Sequence, residues 1–151
     1  MVMLDWGNLI FNREVGASSK EEKAGYYIQA LVRYQEAEAL LRDDPRPFLY
    51  EGLCHERLTD IVQSHKEKQQ QFALGEAALR KALSLSVDSP DYSQAQPYRA
   101  LASLYAHMND FHSVLDSLQK ARQADPTNAE SSHLESEIQS VEHYLEQKEN
   151  H

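Results

Sequence analysis

The stretch PYRALASLYAHMNDFHSVLDSLQKARQADPTN, residues 97–128, contains the clearest pattern in the chain. Its small, large apolar and proline residues fall at fixed intervals, at Ala102, Val114, Leu118, Ala121 and Pro126. Side chains three or four residues apart share one face of an α-helix, and Asn109-Asp110 is typical of a turn. The stretch therefore predicts two helices joined by a short turn.

The same order of residue types occurs twice more upstream. The first set is Gly7, Ala30, Tyr34, Ala37 and Pro45. Adding 45 to each number gives the second set, Gly52, Gly75, Leu79, Ala82 and Pro90. A small residue in a first helix lets a second helix approach closely, and the mixed stripe on the second helix fills the gap. Repeats with periods of roughly 20 to 50 residues are typical of solenoids, so we expect stacked helical hairpins.

A family resemblance is carried in the last unit by Tyr98, Leu101, Ala102, Tyr105, Ala121 and Pro126. This unit, residues 95–126, resembles a tetratricopeptide repeat, with Val114 and Leu118 in place of the usual alanine and aromatic residue. The resemblance implies an all-α fold, a right-handed α-α superhelix of the helical-hairpin solenoid type.

Two earlier units resemble the same family. In the middle unit, residues 46–90, Phe48 and Gly52 match, whereas Glu51 and His55 stand where leucine and tyrosine are expected. The first unit, residues 3–45, is similar through Trp6-Gly7-Asn8, Ala30, Tyr34 and Ala37. Eleven extra residues separate the paired small positions in both units, compared with the last one, within NREVGASSKEEKAG and ERLTDIVQSHKEKQQQ. We expect either long protruding helix ends or, in the first unit, a loop around residues 16–19.

A further helix is predicted after Asn128, a good N-cap residue, over residues 128–148. Leu134, Ile138, Val141 and Leu145 recur at helical spacing on one face, and glutamates occupy the rest. A solenoid needs such a helix to close its open end. We therefore expect a C-terminal capping helix, with a partner helix or a coiled-coil seam as the alternative.

Composition limits the class of protein. With 151 residues, 41% of them hydrophobic, the chain can form one core, so we expect a single domain over residues 1–151. A net charge of −9 argues against nucleic acid as a partner, because phosphate contacts need clustered cations. Apolar runs long enough to span a membrane are absent from the sequence. The one cysteine, Cys54, and the early charge at Asp5 favour a cytoplasmic or other reducing compartment.

Catalytic and metal-binding patterns are weak. Cys54 and His55 are adjacent, but neighbouring helical side chains point about 100° apart and do not share a proton readily. His107 and His112 are five apart, not the three or four that suit a metal on one helical face. No carboxylates stand out as a buried pair. We therefore expect no enzyme, no cofactor and no metal, and we interpret Cys54 as a packed residue beside a partly exposed histidine.

A binding groove is what the resemblance implies instead, since first helices line an inner groove in tetratricopeptide repeat proteins. By that resemblance the groove residues are Asn8, Asn12, Arg46, Leu49, Leu53, Arg57, Gln96, Arg99, Ser103 and His107. The three arginines favour an acidic or carboxylate-bearing peptide, because the guanidinium fork accepts a carboxylate in two bonds. The alternative is that they are ordinary surface arginines.

The function expected from these features is a non-enzymatic adaptor or assembly factor that binds a protein or peptide in the groove. One alternative is a structural subunit of a larger complex or a homodimer, using the convex surface, the C-terminal helix and exposed aromatic residues such as Tyr26, Tyr27 and Tyr92. Another is a small chaperone of the secretion type. The oligomeric state, and whether the chain is part of a longer array, stay open.

Overall fold

The computed structural model describes residues 7–8, 19–125 and 131–150, and these contain helices and no strand. The expected all-α class is therefore confirmed for the described chain. Gly7 and Asn8 are helical. The helices that follow are α1 (Lys20–Leu40), α2 (Pro45–Ile61), α3 (His65–Ser86), α4 (Ala95–His107), α5 (Phe111–Ala124) and α6 (Ser131–Glu149).

The chain divides into two compact units, Met1–Leu85 and Ser86–His151. The expectation of a single domain over residues 1–151 stays a prediction. Several sequence-based predictions lie outside the described residues: Asn12, the entry around Trp6, most of the proposed loop at residues 16–19, the turn at Pro126 and the N-cap at Asn128.

In the first compact unit, short polar residues cap the N-terminal ends of α1 and α2. Ser19 has an extended backbone, and its hydroxyl accepts a hydrogen bond from the Glu22 amide at 3.1 Å, which caps α1. Asp44 caps α2 in the same way by accepting from the Arg46 amide at 2.9 Å. Pro45 then occupies the first helical turn, where its missing N–H costs nothing. Pro45 thus follows the end of α1 and opens α2.

The inserted segment of the middle unit is helical. α2 continues to Ile61, the turn takes residues 62–64, and α3 begins at His65. The Ser64 hydroxyl accepts a hydrogen bond from the Glu67 amide at 3.1 Å. Long helices joined by a tight turn are therefore the correct alternative in this unit. In the first repeat unit, residues 3–45, α1 begins at Lys20. Part of the inserted segment of that repeat therefore lengthens this helix.

Two glycines 45 residues apart have matching surroundings within the first compact unit, Met1–Leu85. A Cβ atom built on Gly7 would lie 2.6 Å from the Tyr34 ring. One built on Gly52 would lie 2.5 Å from the Leu79 side chain. Each glycine therefore faces the large residue 27 positions later. Both contacts are too close to leave room for a side chain at the glycine position. This is the close approach that the repeat predicts.

The predicted stripes are buried in every unit of the repeat. In α1 the buried residues include Ala30, Tyr34 and Ala37, which form a core cluster with Cys54 of α2. The rings of Tyr34 and Tyr50 stack across these helices with centroids 5.4 Å apart. Equivalent burial in the later helices is found at Gly75, Leu79, Ala82, Val114, Leu118 and Ala121.

The second unit contains α4, α5 and α6. α4 packs on α5, joined by a turn in which Asn109 has a φ of 58° and Asp110 caps α5. α6 packs on α5 and buries Leu134 and Ile138, whereas Val141 and Leu145 further along are half-buried. The predicted stripe of the C-terminal helix is therefore buried most completely in its first half.

Membrane-spanning helices are not found within residues 7–8, 19–125 and 131–150, where each helix lacks the long apolar run that crossing a bilayer requires.

Candidate functional site

One accessible stripe runs along α4. Gln96 and Ser103 are exposed, and Arg99 and His107 are half-buried. They are spaced three, four and four apart, so they share one face of the helix. Most other positions of the helix are buried, at Pro97, Ala100, Leu101, Ala102, Leu104 and Tyr105. In the second unit, the four predicted groove residues therefore lie together on a surface that a partner can reach.

The predicted groove residues of α2 differ in accessibility. Arg57 is exposed, with half of its side chain open to solvent, and Leu53 is half-buried. Leu49 is buried, with 8% of its surface exposed, so it contributes to packing within the first unit. Arg57 and Leu53 are the positions of this helix that are more open to a partner.

Arg46 is engaged by its own helix cap. Its guanidinium donates from Nε to Asp44 Oδ1 at 3.0 Å and from a terminal nitrogen to Oδ2 at 2.6 Å. Burial alone would raise the pKa of Asp44, but these hydrogen bonds, the one from the Arg46 amide, and the positive charge of Arg46 hold it below its usual value. The guanidinium group of Arg46, which was expected to bind a ligand's carboxylate, thus already binds the carboxylate of Asp44.

Asn8 has a structural contact. The Tyr34 hydroxyl donates a hydrogen bond to Asn8 Oδ1 at 2.8 Å. Burial is the main reason why the pKa of Tyr34 lies above its ordinary value, with further contributions from Cys54 and Tyr50. The Tyr34 hydroxyl therefore stays protonated and continues to donate, and its bond to Asn8 links residues 7–8 to α1. Asn12 lies outside the described residues.

Two glutamates form a half-buried pair that the sequence did not indicate. Glu38 of α1 and Glu51 of α2 lie beside each other, and Oε1 of Glu38 is buried with no hydrogen-bond partner among the described residues. We call Glu38 and Glu51 the acid pair. Burial, then the hydrogen bond and negative charge of Glu51, raise the pKa of Glu38 to about 9. Both residues are half-buried, so they do not contradict the expectation that no carboxylates stand out as a buried pair.

His55 and Gln71 complete the surroundings of the acid pair. Burial opposes ionisation of Glu51, but the neighbouring His55 and Glu38 side chains outweigh it and lower the pKa of Glu51. His55 Nε2 lies 3.6 Å from Glu51 Oε1, and its Nδ1 lies 2.7 Å from Gln71 Oε1 of α3. Only 4% of His55 is exposed, so the interpretation of it as partly exposed is wrong.

Two departures from the repeat pattern in the sequence lie at the site formed by Glu38, Glu51 and His55. Glu51 and His55 are the two positions at which the middle unit departs from the tetratricopeptide pattern, with polar residues in place of leucine and tyrosine. One helical turn separates them, so both side chains point toward the same neighbours. Polar residues at positions that packing should make apolar need buried hydrogen-bond partners, which here are Glu38 and Gln71.

Cys54 does not form a nucleophilic pair with His55. Its side chain lies in the core beside Ala30 and Tyr34, fully buried. Burial first, and the charge of Glu51 second, raise the pKa of the Cys54 thiol above its usual value. A neutral, enclosed thiol is a poor nucleophile, and the contacts of the His55 ring are to Gln71 and Glu51.

Metal-binding groups of three or more His, Cys, Asp or Glu side chains are not found among the residues that the structure describes. His107 and His112 belong to different helices, α4 and α5, on either side of the turn.

The exposed apolar residues of α1 include Ile28 and Val32 and not the tyrosines that were expected there. Ile28 and Val32, one turn apart, are 55% and 48% exposed. Tyr27 is only 2% exposed, and Tyr26 packs against the core cluster. The prediction that Tyr27 is an exposed aromatic is therefore wrong, because it continues the buried stripe of Ala30 by three residues.

A shallow pocket of about 270 Å³ lies in the second unit, where the start of α5 meets the end of α6. The rings of Phe111 and Tyr144 contact each other there, with centroids 4.8 Å apart. Lys148 and Glu149 also line it. The C-terminal helix thus contributes an aromatic side chain to the surface.

Comparison of the chain with protein-family models, with curated proteins and with solved structures finds no match.

Proposed function

We propose that the chain is a non-enzymatic protein-interaction module of the tetratricopeptide type, a right-handed helical-hairpin solenoid that binds a partner peptide or helix. The observation that supports it is the pair of matched contacts, Gly7 on Tyr34 and Gly52 on Leu79, 45 residues apart. Proteins built from such repeats stack hairpins and expose one helix of each pair as an extended binding surface.

We propose a binding surface in each compact unit taken by itself: the accessible part of α2 in the first and the open stripe of α4 in the second. In α4, Gln96, Arg99, Ser103 and His107 form it. In α2 it includes Leu53 and Arg57. A carboxylate-bearing peptide remains our proposal for the partner. Arg57 is more open to it than Arg46, because half of its side chain is exposed and its ion pair with Glu56, at 3.6 Å, is longer than the 2.6 Å pair of Arg46 with Asp44.

A displayed peptide library tests this function. Peptides selected on the full chain should bind at a 1:1 ratio, as measured by fluorescence anisotropy of the synthetic peptide. Ser103→Trp should weaken a peptide bound to the second unit about tenfold, which corresponds to roughly 1.4 kcal/mol, and Arg57→Ala should do the same for a peptide bound to the first. Gln123→Ala, an exposed change on α5, is the matched control and should leave the affinity unchanged. Equal affinity for all variants would refute the proposed surface.

A second candidate function is a structural subunit that is permanently packed against another chain. Ile28 and Val32 favour it, because together they expose apolar surface on one face of α1. Light scattering of the purified chain tests the homodimer form of this proposal. A mass of twice 17.3 kDa that halves in Ile28→Glu/Val32→Glu supports it, with Gln29→Glu as control, and a monomer at all concentrations counts against it.

A further inference from the structure

The pocket between the start of α5 and the end of α6 has an aromatic wall, and we call it the aromatic pocket. Phe111, the first residue of α5, and Tyr144, in the second half of α6, both line it. Their ring centroids lie 4.8 Å apart, and Leu145 adds apolar surface beside them. Because Tyr144 is 44% exposed, a ligand can reach its ring from solvent.

Two carboxylates also line the aromatic pocket. Asp110 caps α5, and its oxygens accept hydrogen bonds from the Ser113 amide at 3.2 Å and the Ser113 hydroxyl at 2.7 Å, which hold the carboxylate in place. Glu149, the last residue of α6, is exposed. Lys148 and His112 are the basic residues of the lining. With histidine counted as neutral, the lining has two negative groups against one positive, the same sign as the net charge of −9.

A cation matches this combination of rings and carboxylates better than an anion does. The face of an aromatic ring carries partial negative charge and attracts a cation within about 6 Å of its centroid. Because the centroids of Phe111 and Tyr144 are 4.8 Å apart, one cation in the pocket can lie within that distance of both. A contact of this length already occurs in the same unit, where Lys120 Nζ lies 6.0 Å from the centroid of the Tyr98 ring.

A cation that carries methyl groups matches the pocket better than a bare ammonium. A lysine ammonium is compact and strongly hydrated, so it must lose bound water to contact the rings. Methyl groups on the nitrogen present apolar surface instead, which complements Phe111, Tyr144 and Leu145. The pocket volume of about 270 Å³ lies just below the range of about 300–1,000 Å³ for pockets that enclose drug-sized ligands. It therefore accommodates a head group rather than a larger molecule.

We propose that the aromatic pocket binds an alkylated ammonium group, the chemistry that choline-type head groups and methylated lysine side chains share. Phe111 and Tyr144 contact the methyl groups, and the carboxylates of Asp110 and Glu149 balance the positive charge. The site lies within the second compact unit and uses none of the α4 residues that we propose for a peptide. It therefore goes beyond the proposed function, and either proposal can fail without the other.

Choline and its neutral carbon isostere, in which a tert-butyl group replaces the trimethylammonium, test whether the charge matters. In an NMR titration of the full chain, followed on the ring signals of Phe111 and Tyr144, choline should bind at least about tenfold more tightly than the isostere. An amide of trimethyllysine is the second probe, and the tighter of the two cations identifies the source of the group. Equal affinity of choline and the isostere, or no response of either ring up to about 50 mM choline, would overturn the proposal.

Matched variants test the location of the choline site. Tyr144→Leu keeps an apolar side chain but removes the ring, so it should weaken choline about fivefold. Glu149→Gln should weaken it about twofold, whereas Lys148→Gln should strengthen it, because it removes a like charge. Glu142→Gln is the control and should change nothing, since Glu142 is exposed on the same helix and does not line the pocket. Wild-type affinity in Tyr144→Leu would place the cation elsewhere and overturn the proposal.

Discussion

Single residues show where spacing alone predicts the fold. Gly52 faces Leu79 so closely that a Cβ atom would lie 2.5 Å from it, whereas a Cβ on Gly25 of α1 meets nothing within 4 Å. Glycine is therefore required at the first position by helix packing and is dispensable at the second. The repeat identified Gly52 because the residue type, and not only its apolar character, recurs.

Substituting alanine at these two glycines should have opposite effects. Gly52→Ala should lower the free energy of unfolding by about 1–3 kcal/mol, because the added methyl group overpacks the contact with Leu79. Gly25→Ala should raise it by about 0.5–1 kcal/mol, because alanine is the better helix former. Urea denaturation of both variants measures this, and a loss of stability from both or neither would contradict the assigned packing.

The residues that the sequence did not predict are those whose state depends on tertiary contacts. Helical periodicity identifies the buried face of α1, and it could have included Tyr27, three residues before Ala30. It cannot show that Glu38, at the edge of that face, meets Glu51 of another helix. The partners of a polar residue come from the crossing of helices, which one chain's spacing leaves undetermined.

At the scale of the helices, caps and docking contacts account for where elements begin and what they bury. Asp44 caps α2 and also binds Arg46, and α6 docks on α5 through Leu134 and Ile138. The apolar stripe of α6 was predicted from the sequence, because it is a local pattern, whereas the cap at Asp44 was not. The ion pair of Arg122 with Glu135, at 2.7 Å between α5 and α6, was not predicted either.

Asp44→Asn should reduce stability at neutral pH and leave it unchanged at strongly acidic pH. Asparagine still caps the helix, but it loses the charged contact that holds the pKa of Asp44 below its usual value. A lowered pKa in the folded state stabilises the protein above the pKa of the unfolded chain, about 3.9, and this contribution disappears as the pH falls through the folded value. Thermal melting from pH 7 to 2 measures it, with exposed Asp43→Asn as control.

Ile138→Ala should destabilise the second unit by about 2–5 kcal/mol, because it removes a fully buried side chain from the contact between α6 and α5. Gln139→Ala, at the exposed neighbouring position, should change stability by less than about 0.5 kcal/mol. Denaturation followed by circular dichroism measures both. Equal, small effects would show that the C-terminal helix does not close this unit.

At the scale of the whole molecule, the account depends on the equivalence of residues 45 apart. Both glycine contacts of the first compact unit obey it. The last repeat unit has a shorter spacing, and it buries the corresponding residues Val114, Leu118 and Ala121. Long helices in the middle unit explain the added length without breaking the pattern. The interaction function that we propose depends on this repetition.

Nuclear Overhauser effects in solution measure the equivalence most directly. The account predicts strong cross-peaks from the Gly7 Hα protons to the Tyr34 ring and from the Gly52 Hα protons to a Leu79 methyl group. Gly25 should show none to another helix. Cross-peaks at only one of the two glycines, or at neither, in a folded sample would contradict the repeat.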